Sequence, residues 1–404
     1  MAAPLHVPTG EALVASPDWD DPRAEQLRLN PRLPPALHAA AVEAVHGERR
    51  PGTIWVATSG TTAGGSDGQP TALTLIALPT VAFAFAGRAM NGWLRAGPRD
   101  RWLDPLPPFH VGSLAIRARA HLAGAAVEPW WHPTRPWDPD ALHRALAGAT
   151  LTSLVPTQLR DLVERGLRAP PSLRAVLVGG DALSLELEAR ARACGWPVLA
   201  SYGMTESCAA IAGAPLVRLR EPVERPPRLV LLPHVQARPG ADGRLLLRGP
   251  SLLAGRLRVT AERAQWEPGP DADGWVATGD RVEWIASASG TALRPLGRMD
   301  DLVKVGGEGV DLARLRAVLA QAAAASGSAP DRWAVFDVAD PRRGRAIALA
   351  TEEPDAAVRA AVLAGFCAEV LPFERPVRTD LWPTLPRTPL GKLALPSDRG
   401  RAQL

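Results

Sequence analysis

The chain has 404 residues, 46% hydrophobic and 22% charged, which is ordinary for a globular protein and too long for one compact unit. Its net charge of +4 and pI near 9.5 do not carry a nucleic-acid signature, because acidic residues interleave with scattered arginines. No apolar run approaches the ~20 residues of a membrane-spanning helix, and MAAPLHVPTGEALVA lacks the regions of a secretory leader, so a cytoplasmic protein without a membrane span is expected.

In chain order, a helix is predicted over 35–45, then a short buried strand at 53–57 (TIWVA) running into the loop TSGTTAGGSDGQ. An apolar helix follows over 80–94, then a helix at 138–147, a strand at 151–155 and a helix at 158–165. A strand at 174–178, a helix at 184–193 and a strand at 198–200 continue the alternation, which implies a parallel or mixed sheet covered by helices. From residue 229 the pattern changes to strands and turns (LVLLP, GRLLLRG, GWVATGD, VEWIA), read as a smaller β-rich subdomain. Beyond 299 a helix at 311–325, strands at 333–338 and 346–351, and a helix at 355–370 predict an α+β unit of about 100 residues. The predicted fold class is therefore α/β, with an N-terminal domain at 1–298 and a smaller C-terminal domain at 299–404. Cys194, Cys208 and Cys367 follow no metal-ligand or disulfide pattern and are read as reduced thiols.

Composition marks a few residues. Only Lys304 and Lys392 among the 46 basic residues are lysines, and Tyr202 is the single tyrosine. In a chain that otherwise uses arginine, a surviving lysine suggests a place where a compact ammonium is needed and a planar guanidinium will not fit.

Five segments carry chemistry. Thr58-Ser59-Gly60-Thr61-Thr62 follows a strand, and its hydroxyls and backbone amides could converge on phosphate, although no Walker lysine follows. Ser201-Tyr202-Gly203-Met204-Thr205-Glu206 places an aromatic face, a hydroxyl and a carboxylate within a few positions, suited to a base, a phosphate and Mg2+. Asp280 ends Gly274-Trp275-Val276-Ala277-Thr278-Gly279-Asp280 and could accept ribose hydroxyls. The fourth runs from Gly297-Arg298-Met299-Asp300-Asp301 to Lys304, Gly306 and Gly307, and the fifth is Pro386-Arg387-Thr388-Pro389-Leu390-Gly391-Lys392. Each alone reads as an ordinary loop, turn or tail. Their order and spacing together do not.

From Thr53 onward the set resembles the adenylate-forming superfamily of acyl- and aryl-CoA ligases, luciferases and peptide-synthetase adenylation domains. The resemblance implies a large N-terminal domain and a mobile C-terminal lid, with ATP and Mg2+ as cofactors, CoA as co-substrate and a small carboxylic acid as partner. It implies that Thr58–Thr62 grip phosphate, that Gly179, Gly180 and Asp181 line the adenine pocket beside Ser201 and Gly203, and that Tyr202 covers the base. Thr205 would meet the α-phosphate, Glu206 the metal, and Asp280 and Arg298 the ribose. Asp300 would be the hinge, Lys392 the adenylation cation, and Lys304, Gly306 and Gly307 the lid face turned to CoA. His110 would border the acid pocket, and Thr157 and Gln158 its wall.

The short length is read as a trimmed N-terminal region. With Ser153-Leu154-Val155-Pro156-Thr157-Gln158-Leu159 it looks most like the o-succinylbenzoate–CoA ligase branch, which serves menaquinone biosynthesis. Another aryl or short acyl ligase, a stand-alone adenylation enzyme, and a degenerate adenylate-binding protein are the alternatives. No carrier module is expected after Lys392, and a homodimer is compatible with the sequence. Two departures stand out: Ala63 replaces a glycine in the first loop, where the usual lysine is missing, and Arg256 stands where the superfamily often has tyrosine after Ala254-Gly255.

Overall fold

A computed structural model describes residues 5–58, 72–285, 291–387 and 393. They divide into two compact units, one holding 5–58, 72–278, 283–285 and 291–295, the other 279–282, 296–387 and 393.

In the first unit the apolar run at Thr53–Ala57 is buried within a six-stranded sheet, in the order Leu5–His6, Glu25–Arg28, Thr53–Ala57, Ala72–Pro79, Gly255–Thr260, Ala264–Pro268. The first two pairings are parallel and the rest antiparallel. A second sheet of 11 strands contains a parallel block, in the order Val198–Met204, Ala175–Val178, Leu151–Leu154, Arg101–Asp104, Ala126–Pro129. Such strands need cover on both faces, which suits the unbroken apolar run of Ala175–Val178.

Ala209–Gly213 turns back antiparallel beside Val198–Met204, and its free edge is paired in turn by Leu229–Leu231. The sheet continues through Ala292–Arg298, Trp275–Ile285, Arg244–Arg248 and Gln236–Pro239. The β-rich stretch expected from 229 is thus present, and it extends the α/β sheet because an exposed strand edge demands backbone partners.

Helix starts follow side-chain chemistry. Asp138 accepts from the amides of Asp140 and Ala141 ahead of Pro139–Ala145, and Ser184 accepts from Leu187 N ahead of Leu185–Ala193. The predicted helix at 158–165 begins earlier, at Pro156, because proline is well suited to a first helical position. Among the elements that escaped sequence reading are strands Arg101–Asp104 and Ala126–Pro129 and the helix between them, Val111–Ala123. That helix buries Arg117 and Arg119, so its sequence shows no clean apolar stripe.

The second unit is α+β. The hairpin Leu302–Val305/Glu308–Asp311 precedes helix Leu312–Ala325. Strands Trp333–Asp340, Gly344–Thr351 and Arg378–Leu381 form a sheet that packs with helix Ala356–Glu369 around Leu315, Leu319, Trp333, Leu349 and Phe366.

Candidate active site

The parallel block brings one motif segment, Ser201–Glu206, together with His110, Thr157, Gln158 and Gly179–Asp181 at the carboxyl ends of adjacent strands, where open α/β sheets bind their ligands. Pro105–His110 follows Arg101–Asp104, Val155–Gln158 follows Leu151–Leu154, Gly179–Asp181 follows Ala175–Val178, and Thr205-Glu206 follows Val198–Met204. Gly179 and Ser201 meet closely: a Cβ on Gly179 would lie 2.6 Å from Ser201 Oγ, which itself donates to Val178 O at 3.3 Å. Gly180 has φ +84°, and Asp181 is exposed with Oδ1 accepting from Ala182 N. Gln158 Oε1 accepts from Val155 N at 3.1 Å, so its carboxamide caps the helix. Thr157, the second residue of that helix, is half-buried.

The tightest backbone lies around Tyr202–Ala209. Thr205–Ser207 makes one 3-10 turn, after which Cys208 and Ala209 take φ +55° and +85°. Two successive side-chain-bearing residues in that region are strained, a cost of about 1–3 kcal/mol each. Gly203 permits the turn, since a Cβ there would lie 1.8 Å from Ala209 O. The result points Thr205 and Glu206 out of the strand at fixed positions, with Glu206 O accepting from Leu253 N at 2.8 Å. Glu206 Oε1 lies 3.4 Å from Arg256 Nη2.

Glu206 fits Mg2+ in one respect: this cation keeps several waters and takes one or two carboxylates plus substrate phosphate oxygens. Among the described residues there is no cluster of three or more His, Cys, Asp or Glu able to hold a metal without such help.

His110 precedes helix Val111–Ala123 on a loop clamped by Asp104. The buried Asp104 carboxylate accepts from Arg117 Nε (2.8 Å), Ser113 Oγ (2.7 Å) and Leu106 N (3.3 Å). Arg28 adds a second buried guanidinium, donating to Leu13 O, Ala15 O and Gln26 Oε1, while Arg117 also reaches Val14 O. The Phe109 ring lies tilted against His110, with ring centroids 4.7 Å apart. None of these clamping residues carried a sequence motif.

Two turns into the same helix is Arg119, 4% exposed and ion-paired with no carboxylate among the described residues. Burial lowers its pKa to about 10. Asn91 Nδ2 donates to Arg119 O, and Asn91 Oδ1, Arg119 Nε and both ring nitrogens of His234 are buried without a hydrogen-bond partner. Burial, and then the charge of Arg119, push the His234 pKa down to about 4. Buried polar groups are normally hydrogen-bonded, so this cluster of open atoms stands out among the described residues. The only sequence signal available was arginine in an apolar segment, which a chain so rich in arginine hides.

In the second unit, Arg298 lies between two acids, with Nη1 3.3 Å from Asp280 Oδ1 and Nη2 3.7 Å from Asp300 Oδ2. Gly279 keeps room for it, because a Cβ there would lie 2.4 Å from Arg298 Nη2. Asp280 and Arg298, the two residues that the resemblance assigns to the ribose, are therefore in contact. Lys304 is exposed on the Leu302–Val305 strand, and Gly306 and Gly307 form the following turn with φ +60° and +93°. Thr58 N donates to Thr74 O at 3.0 Å. Ser59, Gly60, Thr61, Thr62 and Lys392 lie outside the described residues.

Glycine turns, an aromatic and a carboxylate stand at the carboxyl edge of an open α/β sheet, the place where such sheets bind their ligands. A family model described as AMP-binding enzyme matches residues 54–256. The chain belongs to that family. It is 30% identical over 272 residues to 2-succinylbenzoate–CoA ligase of Bacillus subtilis, covering 62% of this chain and 52% of that one. The Escherichia coli enzyme of the same name is 32% identical over 288 residues, covering 70% of this chain and 57% of the relative. The chain thus spans about half the length of the curated relatives it matches. A solved E. coli MenE variant with bound OSB-AMS superposes with TM-score 0.61 at 27% identity, covering 82% of this chain and 64% of that one. The Bacillus subtilis MenE structure with AMP gives TM-score 0.65 at 22% identity over 87% of this chain and 69% of that one, a likeness of fold.

Proposed function

We propose that the chain is an ATP-dependent acid–CoA ligase that adenylates o-succinylbenzoate and then forms its CoA thioester, a step of menaquinone biosynthesis. Adenylation brings a carboxylate to the α-phosphate of ATP, so two anions must meet and preorganised donors and cations lower the barrier. Tyr202 covers the adenine, Gly179, Gly180 and Asp181 line its pocket, Thr205 donates to the α-phosphate, and Asp280 and Arg298 hold the ribose. Mg2+ bound by Glu206 and phosphate oxygens would supply further charge neutralisation. Lys392 bridges the acid and the α-phosphate, and the 299–404 lid then turns about Asp300 to present Lys304, Gly306 and Gly307 to CoA.

The observation that carries the choice of acid is Arg119. A buried guanidinium with no acidic partner is costly unless an anion completes it, and a dicarboxylate brings a second anion beyond the reacting one. The unpartnered atoms of Asn91 and His234 beside it offer further hydrogen bonds.

The test is an acid panel read by AMP release and thioester formation. We expect o-succinylbenzoate to be turned over and benzoates with one carboxylate to be much poorer. Arg119→Gln should lower kcat/KM for the dicarboxylate by on the order of 10–10²-fold, the scale of a charge-assisted hydrogen bond, while sparing monocarboxylates. Turnover of benzoates but not o-succinylbenzoate would remove this substrate, and AMP from no acid would leave an adenylate-binding protein.

A further inference from the structure

The sequence from Thr58 to Pro79 contains no lysine or arginine, so the first loop brings no cation of its own to a polyphosphate. The strand that leaves this loop, Ala72–Pro79, pairs with Gly255–Thr260, with Ile76 opposite Arg256. On that strand Leu257 is buried towards the core while Arg256 and Arg258 face the other way. Arg256 meets the Glu206 carboxylate at 3.4 Å, with both side chains 23% exposed. Backbone fixes both ends of the pair, because Leu253 N donates to Glu206 O just ahead of Arg256.

Resting on the adenylation reading, we propose that Arg256 is the phosphate-binding cation the first loop lacks, held on Glu206 until that carboxylate ligates the divalent metal of the nucleotide. Charge drives the exchange. Once Glu206 serves a dication, the carboxylate no longer balances the guanidinium, and the nearest uncompensated anion is the polyphosphate itself. The pair then acts as a latch: metal and nucleotide bind together, and Arg256 is withheld from phosphate when the metal is missing.

The test is ATP binding to the full chain by calorimetry, without acid or CoA, in Mg2+ and in EDTA. Wild type should bind more tightly in Mg2+. Glu206→Gln frees Arg256 permanently, so in EDTA it should bind ATP about three- to tenfold more tightly than wild type, the scale of one partly screened charge-assisted contact. Adding Arg256→Gln should abolish that gain, whereas Arg256→Lys in the same background should keep most of it. Arg258→Gln, on the same face, should change nothing. Melting curves check that each variant is folded. No gain in Glu206→Gln, or a gain that survives in the double variant, overturns the latch, since mere loss of a repelling carboxylate would persist without Arg256. Failure of the wild-type protein to bind ATP in either buffer would sink the adenylation reading and the latch with it.

Discussion

Arg119 and His234 show how burial changes what a residue offers. In water, either would be a solvated cation or near-neutral base. Here the imidazole sits where desolvation and the neighbouring guanidinium both oppose protonation, and its pKa falls to about 4. The unfolded chain takes up this proton near pH 6.5, while the folded protein resists it until about 4. Stability is therefore full above 6.5, declines as pH falls from 6.5 to 4, and loses no more to this group below that. His234→Asn, which does not titrate, should flatten this part of the urea-midpoint profile. An unchanged slope between pH 6.5 and 4 would show that His234 is not held neutral. At the same scale, the charge of Arg119 is suited to an anionic ligand only because no described acid already satisfies it.

At the scale of elements, the Val198–Met204 strand and the strained turn after it do the positioning. Gly203 sits against the returning backbone at Ala209, and nothing larger fits without moving one of the two strands. Gly203→Ala should destabilise the protein by about 3 kcal/mol, at the upper end of overpacking effects. Because Thr205 and Glu206 ride on the same turn, ATP affinity should fall with it. A variant with wild-type Tm and ATP affinity would mean that the turn adapts freely. The helix Val111–Ala123 is set by a different device: the Asp104 carboxylate ties its first turns to the preceding strand, while Arg28 and Arg117 gather the carbonyls of Leu13–Ala15. Breaking such a buried pair leaves a charge without its partner.

For the whole molecule, the division into two units bears on the order of chemistry. Lys392 belongs to the proposed lid, and a residue needed for one half-reaction should be dispensable in the other. Lys392→Ala should lose on the order of 10²–10³-fold in adenylation, the scale of one transition-state contact. Thioester formation from preformed acyl-adenylate should be largely spared. Equal loss in both half-reactions would contradict the assigned role. The same separation gives Asp300 its proposed importance, since a hinge affects the exchange between half-reactions more than either bond-forming step.

Strand–helix alternation and the α+β character of the second unit were legible in the sequence, because period-2 and period-3.6 patterns and glycine-rich turns are local properties. That Asp280 and Arg298 serve the ribose, and Gly179 and Ser201 the nucleotide, was implied by the family resemblance; the contacts between them come from the fold alone. The helix Val111–Ala123 was not legible, since Arg117 is buried against partners up to 103 residues away and Arg119 is buried with no described acid beside it. The clamp at Asp104, the open cation at Arg119 and the contact of Arg256 with Glu206 are long-range in the same sense. Local sequence determined which elements form and which residues could carry chemistry. Only tertiary packing decided which charges lost their water and which found a partner, because desolvation depends on neighbours that are distant in the chain.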